Sequence, residues 1–501
     1  MLVPLLPPNE AAQPLPVSTT SRPDLHSFNF TVENDELSWN RVPLIQLIEQ
    51  HGTPLKLTYL PQISKHIQHV KSIFAKAMAR HRFRGGHTYC YCTKTSHFRF
   101  VLDEVLKNDT HLELSSAFDV SIVQELYRSG KINKSTYIIC NGYKQPQYLE
   151  RIGELIEAEF NVVPIIDSLR EIGTYEHVHA REVNIGIRIA TDEVQSTLFR
   201  TSRLGVRYSE VCELYRTRIQ HHPKLRLRML HFHINTGIQN TGYYWSELAC
   251  FVHKYCKLRK ICPSLDSIDI GGGLPIAHSL DFTYPYDGIV DQIIETISKI
   301  CTRNHVAVPH LFTEFGGYTV GESGATIYQV IEQKQQNAKE MWYMINGSFI
   351  TQLPDTWGKK ESFICLPINN WSYPRRNVLL GGLTCDAQDF YADGPDRQHV
   401  SMPQYDEYRE DQYVGLFHTG AYQEELSGYG GVSHCLIPAP KHVVVESDGN
   451  GRWKSCLFAP EQGSESMMRL LGYTEEKMMF SNDLDVLGSD CIPRHVCAPE
   501  R

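Results

Sequence analysis

The sequence predicts a parallel (β/α)8 barrel followed by a smaller all-β domain. Three observations lead there. Between about residues 61 and 330, short apolar runs alternate with amphipathic helical patterns, the order that builds a parallel sheet wrapped by helices. After about residue 330 the apolar segments shorten and Gly and Pro turns separate them, as in an all-β unit. Residues able to do chemistry stand at the C-terminal ends of the apolar runs, where such barrels carry their sites.

Taken in order, residues 1–35 are rich in Pro, Ser, Thr and Asn and predict a disordered extension. Residues 36–60 form a leading segment that joins the β-domain: a helical patch at 44–51, a break at Gly52-Thr53-Pro54, then a strand at 55–60. The barrel occupies 61–330, with strands expected at 87–92, 112–114, 136–140, 162–166, 184–189, 227–234, 265–270 and 310–313. Helical stretches at 63–79, 120–129, 147–159, 245–258 and 286–300 lie between them. Residues 331–446 predict the β-domain, with strands at 341–345, 362–366, 377–380, 413–417 and 442–445. Residues 447–501 are less patterned and predict a tail with one short helix at 464–471.

The bulk numbers narrow the function. The 501 residues suffice for two domains with large cores. A net charge of -8 leaves no basic footprint, which argues against nucleic acid. No apolar run approaches a membrane span, and no basic-then-apolar leader pattern opens the chain. The 14 cysteines are scattered, without CxxC pairs spaced for zinc, and Cys90, Cys140 and Cys365 sit inside apolar runs. Free thiols in a reducing, cytoplasmic setting are expected.

The strand-end residues are the informative ones. Lys94 closes the otherwise uncharged Tyr89-Cys90-Tyr91-Cys92-Thr93 run. Alone, a lysine there snorkels to solvent; the sharper reading is a Schiff-base lysine. Ile270-Gly271-Gly272-Gly273 ends another run in bare backbone, which either turns tightly or lets N–H groups approach a phosphate. The GxGxxG spacing of a dinucleotide site is missing. His231 and His233 share one strand face, as core histidines or as a metal pair. Thr236-Gly237 adds a hydroxyl and free backbone for an anion, and Glu314 puts a carboxylate at the last strand end, where a buried acid needs a cationic partner. In the β-domain, Cys385-Asp386 behind Gly381-Gly382 looks like a loop presenting reactive groups, and Tyr422 follows a flexible turn. Pyridoxal phosphate accounts for all of them together: Lys94 binds it, Glu314 keeps its ring nitrogen protonated, the glycines and Thr236 hold its phosphate, and His233 stacks on the ring.

The motifs Tyr91-Cys92-Thr93-Lys94-Thr95-Ser96-His97-Phe98, Ile139-Cys140-Asn141-Gly142-Tyr143-Lys144, Leu383-Thr384-Cys385-Asp386 and Gly420-Ala421-Tyr422-Gln423-Glu424 carry a resemblance. Over about 37–445 the chain resembles the alanine-racemase-like class of pyridoxal-phosphate decarboxylases. That class includes ornithine, diaminopimelate and biosynthetic arginine decarboxylases, and the compact bacterial arginine enzymes are the nearest in kind. The resemblance implies that Lys94 carries the cofactor, and that Glu113 and Asp119 flank it and pair with Arg188. It makes His233 the ring-stacking residue and Thr236, Gly237, Gly272, Gly273 and Tyr422 the phosphate cradle. Glu314 becomes the ring-nitrogen acid, Cys385 the thiol that returns a proton, and Asp355 and Asp386 the acids for a distal substrate cation. It implies a homodimer in which Cys385 and Asp386 reach the partner's site. The activity implied is decarboxylation of a basic amino acid, arginine to agmatine and CO2, within polyamine biosynthesis; ornithine, lysine and diaminopimelate are the alternative substrates. Two departures stand out: the class often has Arg where Gly317 stands, and Asp355 follows Pro instead of an aromatic. The rival readings are a metal-dependent barrel hydrolase built on His231 and His233, and a non-catalytic regulator of the same fold. The regulator reading conflicts with the presence of both Lys94 and Cys385.

Overall fold

A buried strand repeats its apolar face every second residue and an amphipathic helix every third or fourth, and both periods are met in the barrel. The computed structural model describes residues 25–178, 182–191, 202–392, 399–448 and 452–473. The strands His87–Cys92, His111–Leu114, Tyr137–Cys140, Asn161–Ile166, Val183–Ala190, Leu225–His231, Ser267–Asp269 and His310–Glu314 run parallel in a closed ring. The last strand pairs with the first, Glu314 opposite Cys90. In His87–Cys92, Tyr89 and Tyr91 pack among the surrounding helices, while Cys90 packs inside the ring with Ile139, Val163, Ile165, Met229 and Phe312. The helix Leu60–Arg80 buries Ile63, Ile67, Val70, Phe74 and Ala77 along one stripe.

The second sheet has ten strands. Leu55–Tyr59, which precedes the barrel in the chain, lies in its middle. It pairs antiparallel with Gly324–Gln335 and parallel with Lys441–Ser447. The chain thus enters and leaves the barrel through one sheet, which fixes the two units to each other.

Four features differ from the sequence-based expectations. The β-sheet begins at Gly324, before residue 331. Phe30–Glu33 is a strand paired with Glu36–Trp39, inside the stretch whose composition predicts disorder; fully buried Phe30 packs on Trp39 and on Phe417, 4.7 Å away. Trp453–Ala459 forms a hairpin partner for Lys441–Ser447, inside the expected tail. The strand expected at 227–234 stops at His231, so His233 and Thr236 lie in the loop beyond it. Residues 1–24 and 474–501 lie outside the described residues. Among those described, no helix is long and apolar enough to cross a membrane.

Candidate active site

The strand His87–Cys92 runs into a single 3-10 turn, Thr93–Thr95, which carries Lys94. The turn is pinned from several sides. Thr95 Oγ1 donates to the Cys92 carbonyl (2.7 Å), Thr93 Oγ1 donates to the Glu113 carbonyl (3.1 Å), and the Tyr422 N–H donates to the Thr95 carbonyl (2.9 Å). Asp119 accepts from Thr93 Oγ1 (3.1 Å) and from His97 Nε2 (3.0 Å), while it caps the helix Ala117–Arg128 in a box with Ser116. With its flanks fixed, Lys94 extends its amine to Glu113, with which it forms an ion pair. The Lys94 side chain is 40% exposed while that of Glu113 is fully buried, so the amine stands at an opening.

Three carboxyl groups crowd this end of the barrel, and their surroundings divide them. Glu314 accepts from Asn141 Nδ2 (2.7 Å) and lies 3.4 Å from His231 Nε2. Burial alone would raise its pKa, but His231 and Lys94 hold it down at about 2. Asp269 is raised well above the carboxylate range by burial and by the facing charge of Glu314, even though the Gly271 N–H donates to its Oδ1 (2.8 Å). Burial likewise raises Glu113, against the pull of Lys94. Glu314 is therefore the carboxyl whose charge the surroundings favour, and Asp269 the one whose charge they oppose. For Lys94 burial opposes the charge, yet the Cys92, Glu113 and Glu314 side chains together keep the ammonium favoured. Burial, with Arg188 nearby, lowers the His233 imidazole to about 3, so it stays neutral.

The remaining predicted residues fall into two sets. Gly237 (φ 76°) and Gly273 (φ 108°) lie back to back: a Cβ on Gly237 would stand 2.7 Å from the Gly273 carbonyl oxygen. A Cβ on Gly272 would collide with the Glu314 carbonyl, and one on Gly271 would come 3.1 Å from His233 Nδ1. Thr236 is exposed beside them. Arg188 lies within electrostatic reach of Glu314, Asp167 and Glu113, and burial lowers its pKa against their pull. Tyr422 adopts φ 69° above the Lys94 turn. Next to it, buried Asp355 accepts from Gln423 Nε2 (2.9 Å) and pairs with Lys359 (3.1 Å). Cys385 and Asp386 are not part of this assembly. Both are exposed, and their contacts are to Cys435, His434, Thr384 and Gln388. A Cβ on Gly317 would meet nothing nearer than Tyr422, at 3.8 Å, so packing does not demand glycine there. Sequence reasoning gave no role to Asn141, Asp269, Gln423 or Lys359. Asn141 and Asp269 did stand at strand ends, the one signal that marked them.

A lysine amine at an opening, an anionic acceptor deep beside it, and a glycine cradle define a class of protein: an enzyme that carries a carbonyl cofactor at the mouth of a barrel. Arg188 Nε, His231 Nδ1 and Asp269 Oδ2 are buried without hydrogen-bond partners among the described residues, a density of unmet polar atoms that marks a ligand site. Comparison with known proteins makes the class definite. The model of the pyridoxal-dependent decarboxylases, pyridoxal binding domain, matches residues 64–321, and the chain belongs to that family; its cofactor is pyridoxal phosphate. The chain is 21% identical to arginine decarboxylase 2 of Arabidopsis thaliana, over 85% of this chain and 74% of that protein. Its fold is shared with the biosynthetic arginine decarboxylase SpeA of Campylobacter jejuni (TM-score 0.76, 18% identity, 92% of this chain and 94% of that one). It is shared too with diaminopimelate decarboxylase of M. jannaschii in complex with L-lysine (TM-score 0.73, 16% identity, 94% and 99%). The family match displaces the metal-hydrolase reading; among the described residues the donors that gather with His231 are Asp269 and Glu314.

Proposed function

We propose that the protein decarboxylates arginine to agmatine and CO2, in the service of polyamine biosynthesis, as a homodimer with shared active sites. The observation that carries the decarboxylase chemistry is the Lys94–Glu113–Glu314 arrangement. Bound pyridoxal phosphate supplies an electron sink for the pair left behind when CO2 departs. The chain's own residues do the rest. The Lys94 amine would hold the cofactor carbonyl and, when free of it, would serve to release product. Glu314, kept anionic, would pair with a protonated ring nitrogen. The neutral His233 ring offers a flat, uncharged face for stacking. The backbone around Gly237, Gly272 and Gly273, with Thr236 and Tyr422, takes the phosphate. Cys385 of one subunit returns a proton to the substrate carbon in the other.

A distal cation on the substrate is supported by Asp355, buried beside Tyr422 and already paired with an ammonium, that of Lys359. Asp386 would join it across the dimer. Arginine is preferred over ornithine, lysine and diaminopimelate because proteins named arginine decarboxylases stand among both the sequence relatives and the shared folds. The test incubates purified protein and cofactor with each of the four amino acids. CO2 matched by agmatine from arginine, with kcat/KM well above the other three, supports the proposal. CO2 chiefly from another of the four reassigns the substrate, and none from any of them ends it.

A further inference from the structure

Outside the barrel mouth, three soft donors meet at the surface of the β-domain. Cys385 Sγ lies 3.4 Å from Cys435 Sγ and 3.6 Å from His434 Nε2, and the three donor atoms are all within 4.8 Å of one another. We propose that Cys385, His434 and Cys435 bind a thiophilic divalent cation of the zinc class.

The spacing supports an ion. Bonds of about 2.3 Å to sulfur and about 2.0 Å to nitrogen at tetrahedral angles place donors roughly 3.5–3.8 Å apart. The sulfur–nitrogen distance falls within that range and the sulfur–sulfur distance just short of it, while the sulfurs are too far apart to be bonded, since a disulfide needs about 2.05 Å. The backbone is bent to bring the donors together. His434 and Cys435 are neighbours in the chain, and neighbours in extended backbone project to opposite sides. Here Cys435 (φ 54°) and Leu436 (φ 52°) both lie in the left-handed region, uncommon for residues with a Cβ, and both the imidazole and the thiol reach Cys385. The opposite loop is held just as firmly: the Asp389 carboxylate accepts from Thr384 N–H (3.0 Å) and Thr384 Oγ1 (2.8 Å), which sets the position of Cys385. Binding is Cys385–SH plus Cys435–SH plus M²⁺ giving the dithiolate–metal unit and two H⁺, with His434 supplying its neutral nitrogen. Three protein ligands leave a fourth position open, the pattern of an exchangeable site as opposed to a closed structural one.

The consequence for activity rests on the reading that Cys385 is the proton donor: a cation that holds its thiolate removes that donor, so zinc acts as a reversible inhibitor. Binding itself does not depend on that reading, and the experiment separates the two. Reduced full-length holoenzyme is titrated with Co²⁺, and the thiolate-to-metal charge-transfer band is followed for wild type, Cys435→Ser and His434→Ala. Folding is checked for each by circular dichroism. One Co²⁺ per chain in wild type, displaced by Zn²⁺, with affinity lowered ~10-fold or more in each variant, is the expected result. Equal binding in all three proteins overturns the site. A decarboxylation assay then adds Zn²⁺ to wild type and to Cys435→Ser, which retains basal activity. Loss of wild-type turnover, restored by chelator and much weaker in Cys435→Ser, is expected. Intact turnover of wild type with the metal demonstrably bound overturns the inhibitory role and leaves the cation site standing.

Discussion

Gly317 is one of the two positions at which the resemblance drawn from the motifs fails. The space above it is open as far as Tyr422, 3.8 Å away, and it carries no positive φ that would require glycine. An arginine introduced there gains charge-assisted hydrogen bonds to the cofactor's phosphate. Gly317→Arg is predicted to lower the cofactor dissociation constant about tenfold, near 1.4 kcal/mol, as measured by fluorescence titration of the apoprotein. Unchanged or weaker binding would place the phosphate elsewhere. Single residues were legible in the sequence where chemistry made them odd for their setting. Lys94 ends an apolar strand and Glu314 ends another, and both come to one site. The partners that tune them were harder to find. Burial and the neighbouring Glu314 charge oppose ionisation of Asp269, whereas His231 and Lys94 favour it at Glu314, and that contrast is a property of the closed ring.

At the scale of elements, the barrel strands announce themselves by period and the glycine turns by composition, because each is a local property. The misread elements depend on distant partners. Phe30–Glu33 is a strand because Phe30 finds Trp39 and Phe417, and the polar residues around it hide that burial. Trp453–Ala459 pairs with Lys441–Ser447 although its own burial pattern is mostly exposed. One junction between elements carries a pH dependence. His97 follows the Lys94 turn and bonds Asp119, while its backbone N–H donates to Glu425 (3.0 Å) from the segment that begins at Tyr422. Burial works against its charge, but hydrogen bonds to Asp119 and Glu425 push its pKa up to about 9. A histidine pKa raised on folding contributes stability that is fully present below the unfolded value, near 6.5. That stability is lost as pH rises through about 9. The melting temperature of wild type should therefore fall more steeply between pH 7 and 9.5 than that of His97→Gln. Parallel slopes would contradict the ion pair.

At the scale of the whole molecule, the site residues expected from the sequence fall in two places. The Lys94 assembly is built from barrel strand ends with Tyr422 laid over them, whereas Cys385 and Asp386 are exposed elsewhere on the β-domain and bond none of it. No period or spacing could reveal that division, since it depends on where distant segments lie in the folded chain. In the proposed homodimer each site takes its lysine from one subunit and its thiol from the other. Mixing inactive Lys94→Ala with inactive Cys385→Ala should then restore measurable decarboxylation as subunits exchange, because mixed dimers hold one intact site. Failure to complement, with exchange verified by mass, would place both residues in one subunit. All of these expectations depend on which amine holds the cofactor. Borohydride reduction of the holoenzyme, followed by digestion and peptide mass mapping, tests that directly. The account predicts a pyridoxyl group fixed on Lys94; a label on another lysine, or none on a protein that binds the cofactor and turns over arginine, would contradict it.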